Sequence, residues 1–152
     1  MSRRRLLPVL VLVVVLSGCG DGDDLATMSQ TDVKQQVERY AGQTLTASGA
    51  AAFVDSAANV TGCPRDNGRS LADPDEAFYV QGLYSLPVPA DQVTATIGKV
   101  RDQWQRNGYS ISSTATPTEL SATATDAYRL DLTANPPIGL RLSIASPCYR
   151  PS

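Results

Sequence analysis

Residues 78–104 constrain the fold of this 152-residue chain more than any other segment. Apolar and polar side chains alternate through residues 78–86, which predicts a strand with one buried face. Pro87 and Pro89 then end the strand. Four apolar residues follow at steps of four, three and four, which predicts an amphipathic helix lying across the sheet with Trp104 in the core. These residues are Val93, Ile97, Val100 and Trp104.

A first helix is predicted to begin after Ser29. The Ser29 hydroxyl can cap this helix, with Asp32 three residues later as its partner in a box-like cap. Apolar residues at helical spacing form one face, and Gly42 is the expected end of the helix. The members of that face are Val33, Val37, Tyr40 and Ala41.

The C-terminal third of the chain predicts successive strands. Alternating segments at 109–115, 120–125, 128–133 and 140–144 are separated by turns rich in Pro, Asn and Gly. Residues 44–61 are less regular, and Phe53 and Val54 fit either a strand or an irregular extended segment. The order of helix, strand, helix and meander predicts a single α+β domain over residues 29–152. Its antiparallel sheet is expected to have four to five strands, with two helices packed on one face.

Residues 1–18 have the organisation of a secretory signal. Arg3, Arg4 and Arg5 precede an apolar run of about a dozen residues, whereas a membrane-spanning helix needs roughly 20. An acidic stretch follows, and we expect residues 19–28 to form a tether between the signal and the domain. Its aspartates lack the spacing of a calcium-binding loop, so we expect a solvated linker there.

The end of this signal, Leu16-Ser17-Gly18-Cys19, resembles a bacterial lipobox. The resemblance implies cleavage between Gly18 and Cys19, a diacylglycerol on the Cys19 sulfur, and a fatty acyl chain such as palmitate on the new amine. Two or three acyl chains anchor a protein firmly, because each buried methylene contributes about 0.8 kcal/mol. The protein is then expected on the extracytoplasmic face of the cell membrane. An ordinary secretory signal with a cysteine at its cleavage site is the alternative.

Removal of the signal changes both the charge and the cysteine count. Loss of three arginines lowers Lys and Arg from 13 to 10 against 15 Asp and Glu, a net charge of −5. This acidic balance, without a basic run, argues against nucleic acid as a partner. Cys63 and Cys148 remain, and an even pair in an exported protein predicts a disulfide. Their separation of 85 residues predicts on the order of 4 kcal/mol of stabilisation.

Several of these features together resemble small actinobacterial lipoproteins, among them the mycobacterial LppA-like lipoproteins. The features are the lipobox, the pair of Cys63 and Cys148, residues 104–109 (WQRNGY) and residues 142–148 (LSIASPC). The resemblance implies a location and a fold. It brings no catalytic residues to this chain.

The residues give little support to catalysis. The chain contains no histidine, which excludes Ser-His-Asp and Cys-His arrangements, and it carries no phosphate loop or metal-ligand spacing. We therefore expect no enzyme, no cofactor and no metal site, but a non-catalytic module that binds a small ligand or an envelope protein. An accessory subunit of an envelope complex, such as a transporter, is the second hypothesis. A hydrolase that uses carboxylates alone is the third, and it needs two of five acidic residues in one cleft. Those residues are Asp73, Asp75, Glu76, Asp126 and Asp131.

Overall fold

A computed structural model of the chain describes residues 25–65 and 68–152. The predicted signal (residues 1–18, with Gly18 at the cleavage position), the lipidation site Cys19 and the tether up to residue 24 lie outside the described residues. Within the two described ranges, no helix has the length and apolar character that crossing a membrane requires.

The described residues form two helices and eight strands. In chain order they are β1 (Thr27–Met28), α1 (Gln30–Ser48), β2 (Asp55–Gly62), β3 (Phe78–Pro87), α2 (Val93–Arg106), β4 (Ser110–Ile111), β5 (Glu119–Thr123), β6 (Arg129–Asn135), β7 (Gly139–Ala145) and β8 (Arg150–Pro151). Six strands make one antiparallel sheet in the order β2-β3-β7-β6-β5-β4, while β1 and β8 form a separate parallel pair. The prediction of a single α+β domain is therefore confirmed, with six strands in the main sheet rather than four or five.

The core lies between the sheet and the two helices. Trp104 on α2 is only 1% exposed and is the largest fully buried side chain, as predicted. Its indole N–H donates a hydrogen bond to Oγ1 of Thr44 on α1 at 3.2 Å, which joins the two helices inside the core. The sheet contributes alternate residues of its strands to the same core. They include Phe78, Val80, Leu120, Leu130, Leu132, Leu142 and Ile144.

The first helix begins as predicted but ends later. The Ser29 hydroxyl accepts a hydrogen bond from the Asp32 backbone N–H at 3.1 Å and donates one to the Asp32 carboxylate at 2.8 Å. The prediction that Gly42 ends the helix is wrong, because α1 continues to Ser48. Gly42 is exposed, and the turn that follows it buries Thr44 against α2, which offsets the cost of about 1 kcal/mol for a helical glycine. Gly49 ends the helix with a left-handed φ of 78°.

Two strands differ from the sequence expectation. Residues 55–62 form the regular strand β2, although their small side chains give no clear hydrophobic period. Of the predicted strand at 109–115, only β4 is paired, because the chain then turns and the Ala115 N–H donates to the Ser112 carbonyl at 3.3 Å. One edge of the sheet is therefore long and the other is short.

The predicted disulfide between Cys63 and Cys148 is present, with an S–S distance of 2.08 Å. It joins the end of β2 to the segment between β7 and β8. That segment runs beside the start of β3, where Tyr149 pairs with Phe78. β8 follows immediately and pairs with β1, so the last two residues of the predicted tether, Thr27 and Met28, are held by the C-terminus. The disulfide thus holds the C-terminal segment against the sheet, and through the pairing of β8 with β1 it also holds the start of the described chain.

Candidate functional site

An apolar cleft lies at one end of the domain, where the N-terminal part of α2 meets the β6–β7 turn. We call it the end cleft, and its volume is about 230 Å³. Most of its walls are aliphatic side chains, prolines and backbone, and the only side-chain polar atoms come from Thr94 and Thr118. The lining residues are Val88, Ala90, Val93, Thr94, Thr118, Ala134, Pro136, Pro137 and Gly139.

Close backbone approaches build this cleft. The Val88 N–H donates to the Ile138 carbonyl at 3.2 Å, which holds the segment after β3 against the β6–β7 turn. Gly139 lies at this contact with φ of +134°, and a Cβ on Gly139 would lie 2.6 Å from the Val88 carbonyl oxygen. On the opposite wall the Ala134 N–H donates to the Thr118 carbonyl at 2.9 Å. Only glycine allows both this dihedral angle and this contact, so the close approach of the two segments at this wall requires glycine at position 139.

The chemistry of the end cleft favours binding over reaction. No ionisable side chain is among its lining residues. Apolar walls with a few polar groups are typical of small-molecule sites, where the polar groups orient the ligand. An apolar cavity of about 150 Å³ holds a benzene ring. A cleft of about 230 Å³ can therefore take a single ring or a branched aliphatic group.

The acidic residues proposed for carboxylate chemistry lie in three places. Asp131 points to the uncovered face of the sheet and accepts a hydrogen bond from the Ser121 hydroxyl at 2.5 Å. Asp126, in the β5–β6 turn, lines a different cavity, which shares no residue with the one lined by Asp131. Among residues 25–65 and 68–152, no three His, Cys, Asp or Glu side chains are arranged to hold a metal ion.

The other three acidic residues belong to the connection between β2 and β3. The Asp73 carboxylate accepts a hydrogen bond from the Asp75 N–H at 2.9 Å, so it stabilises its own turn. Glu76 forms an ion pair with Arg65 at 2.9 Å, and both side chains are more than half exposed. These interactions make the cluster a solvent-exposed structural turn rather than a cleft.

Asp126 belongs to a cluster of tyrosines that the sequence did not predict. The Tyr40 hydroxyl donates to the Asp126 carboxylate at 2.5 Å, and the Tyr40 ring lies 5.2 Å from that of Tyr128. Burial, reinforced by the Asp126 carboxylate, raises the pKa of Tyr40 far above its usual value. Burial and the neighbouring Tyr149 hydroxyl likewise raise the pKa of Tyr128. Both hydroxyls therefore remain protonated, and that of Tyr40 donates its proton to the Asp126 carboxylate.

No protein-family model matches the chain, and no curated protein or solved structure matches it. None of the lining residues of the end cleft was a site candidate in the sequence, because they come from three distant segments, residues 88–94, Thr118 and residues 134–139, and share no local pattern. The one sequence signal for this end of the domain is the cluster of Pro and Gly at residues 136–139, which lies near the start of α2 in the fold.

Proposed function

We propose that this protein is an exported, lipid-anchored binding domain without catalytic activity, and that the end cleft holds a small apolar group of its ligand. The observation that carries this proposal is the composition of the cleft: aliphatic walls, two threonine hydroxyls and no ionisable lining residue. Such a site offers burial and orientation to a ligand. It offers no general acid, general base or nucleophile of perturbed pKa.

Two features support the extracytoplasmic part of the proposal. The lipobox-like segment ending at Cys19 supplies a membrane anchor, and the first strand begins only eight residues after it, at Thr27. The bond between Cys63 and Cys148 is of the kind that persists in oxidising compartments. We therefore place the domain on the outer face of the cell membrane, held by acyl chains on Cys19.

Toluene is a suitable probe of the end cleft, because its ring fits the volume. In ¹⁵N-labelled full chain carrying Cys19→Ala, we expect saturable shifts of the Thr94 and Thr118 amide signals on titration with toluene. Thr94→Trp places an indole into the cleft and should abolish these shifts. Ala95→Trp adds the same ring at an exposed neighbouring position that does not line the cleft, and should leave them unchanged. Absence of saturable shifts, or equal behaviour of the two variants, contradicts the proposed site.

Intact mass and membrane partitioning test the anchor separately. The parent chain should carry acyl chains and fractionate with membranes, whereas Cys19→Ala should do neither. If Cys19→Ala leaves both mass increments and partitioning unchanged, the location is wrong while the cleft result still stands.

A role as an accessory subunit has one observation in its favour. Val54 and Leu83 are both exposed, Val54 to 59%. Val54 immediately precedes β2, the outermost strand of the sheet, and Leu83 lies on the neighbouring strand β3. Exposed apolar side chains next to an open edge mark a surface for a protein partner. The carboxylate hydrolase has no comparable support, since Asp126 and Asp131 line separate cavities and the other three acidic residues lie in an exposed turn.

A further inference from the structure

A second cavity adjoins the end cleft, between α2 and the connection from β4 to β5. We call it the side groove, and its volume is about 350 Å³. The connection forms a fixed wall, because the Thr116 N–H donates to the Glu119 carbonyl at 2.8 Å. The residues that line the side groove are Thr94, Ile97, Gly98, Arg101 and residues 115–117.

The end cleft and the side groove are joined at two places. Thr94 on α2 lines both cavities. On the other wall, the hydroxyl of Thr116 in the side groove lies 3.5 Å from the hydroxyl of Thr118 in the end cleft. Arg101 follows Thr94 by seven residues, a rise of about 10 Å along the helix. A ligand that occupies both cavities is therefore elongated, and its two ends have different surroundings.

The side groove contains a positive charge that the protein does not neutralise. In the part of the chain that the structure describes, no carboxylate forms an ion pair with Arg101, and its buried Nε has no hydrogen-bond acceptor. No Asp or Glu lines the side groove or the end cleft. The cavities lined by Asp126 and by Asp131 differ in this respect, because each combines an arginine with a carboxylate. A charged donor left without an acceptor is unfavourable, so the side groove favours an anion.

Gly98 leaves room for a ligand between Thr94 and Arg101. These three residues follow one another at steps of four and three, so they lie on one face of α2. Glycine in a helix interior is destabilising relative to alanine. A Cβ at Gly98 would meet nothing within 4 Å, so no contact with a described residue requires glycine here. The missing side chain instead keeps the side groove open along the helix.

We propose that the side groove and the end cleft together bind an aliphatic monocarboxylate, with its carboxylate on Arg101 and the far end of its alkyl chain in the end cleft. The proposal rests on the function proposed for the end cleft. A guanidinium binds a carboxylate through two parallel N–H groups, and one guanidinium balances one negative charge. This balance favours a carboxylate over a dianionic phosphate. Val93 and Ile97 supply aliphatic surface along the path of the alkyl chain.

Octanoate and 1-octanol test the role of Arg101, because they have alkyl chains of equal length and differ in charge. In ¹⁵N-labelled full chain carrying Cys19→Ala, both should cause saturable shifts of the Thr94 and Gly98 amide signals. The Kd of octanoate should be at least about tenfold lower, because only octanoate pairs with the guanidinium. Arg101→Gln should remove this difference. Arg106→Gln makes the same change at an exposed residue of α2 that lines neither cavity, and should preserve it.

Filling the side groove gives a second measurement that leaves the charge in place. Gly98→Leu should raise the Kd of octanoate by at least about tenfold without lowering Tm, since leucine is the better helix former. Ala95→Leu adds the same side chain at an exposed position outside both cavities and should leave the Kd unchanged. A loss of binding without a loss of stability identifies Gly98 as part of the site.

The possible failures are distinguishable. If toluene causes saturable shifts but octanoate and 1-octanol bind equally well, the monocarboxylate is wrong and the end cleft stands. Equal effects of Arg101→Gln and Arg106→Gln, or of Gly98→Leu and Ala95→Leu, also overturn the monocarboxylate site. Tighter binding of octyl phosphate than of octanoate overturns the choice of a carboxylate. Absence of toluene shifts overturns the end cleft, and this inference with it.

Discussion

Removal of the Cys63–Cys148 bond should cost both global stability and local protection at the chain ends. In the chain-entropy model, a cross-link between residues 85 positions apart stabilises the folded state by about 4.5 kcal/mol. For a domain of this size such a loss lowers Tm by roughly 10–20 °C. We expect the variant Cys63→Ala/Cys148→Ala, made in the full chain with Cys19→Ala, to show this loss in guanidinium unfolding.

The local part of the effect follows from what the bond holds. The Tyr149 N–H donates to the Phe78 carbonyl at 2.8 Å, and the Arg150 N–H donates to the Ala26 carbonyl at 2.9 Å. Both bonds lie immediately after Cys148, and neither is part of the main sheet. Their amides should therefore exchange hydrogen faster in the double variant by a larger factor than global destabilisation explains.

Amides of Leu130 and Leu132, in the middle of the sheet, are the internal control for this experiment. They should exchange only through global unfolding, so their protection should fall by the same free energy as the guanidinium measurement. A global loss below about 1.5 kcal/mol would refute the entropic reasoning. Equal acceleration of the terminal and central amides would refute the claim that the bond fastens the two chain ends.

Three further predictions concern the core, the end cleft and the tyrosine cluster. Thr44→Val leaves the buried Trp104 N–H without a partner and should lower the free energy of unfolding in guanidinium by about 1–3 kcal/mol. The control Thr46→Val removes an exposed hydroxyl bonded to the Gly42 carbonyl and should cost under about 0.5 kcal/mol. Equal costs for the two variants would contradict the buried bond. Gly139→Ala forces a Cβ against Val88 at a positive φ, so we expect at least about 2 kcal/mol of destabilisation and loss of toluene binding. The control Gly98→Ala, on α2, adds a Cβ that meets nothing within 4 Å and should be neutral or stabilising. Because the pKa of Tyr40 is raised in the folded state, its hydroxyl ionises at a lower pH in the unfolded chain than in the folded one. The free energy of unfolding should therefore be unaffected by this group below about pH 10. Above that pH it should fall by up to about 1.4 kcal/mol per pH unit per tyrosine. Absorbance at 295 nm during alkaline titration should show Tyr40 ionising only with unfolding, and a Tyr40 that ionises normally in the folded chain would contradict the assignment.

Strong periodicity allowed much of the core to be predicted. Phe78, Val80 and Leu86 lie on the buried face of β3, and Trp104 lies on the buried face of α2, as predicted. Both elements are amphipathic, so the spacing of their apolar residues identifies the buried face from the sequence. The end of α1 could not be predicted in this way. Gly42 is as plausible an end locally as Gly49, and tertiary packing after Gly42, including that of Thr44 against Trp104, favours continuation to the second glycine.

The parts that bear on function were harder to predict for a related reason. β2 is an edge strand with small side chains on both faces, so its burial pattern carries almost no period, and its residues gave no strand assignment. The end cleft depends on contacts between residues far apart in sequence, such as Val88 with Ile138 and Thr118 with Ala134. Tertiary contacts of this kind leave no spacing to detect. A site made from connections is therefore visible only after the sheet has brought them together.

The positions of the chain ends and the end cleft relate the proposed anchor to the proposed ligand site. Met28 and Tyr128 line the same cavity, so the chain leaves the tether beside the start of β6. Ala134 lines the end cleft at the other end of β6. Seven residues of a strand span roughly 20 Å. The proposed anchor and the proposed ligand site therefore lie at opposite ends of β6, so the point where the chain enters the domain does not obstruct the end cleft.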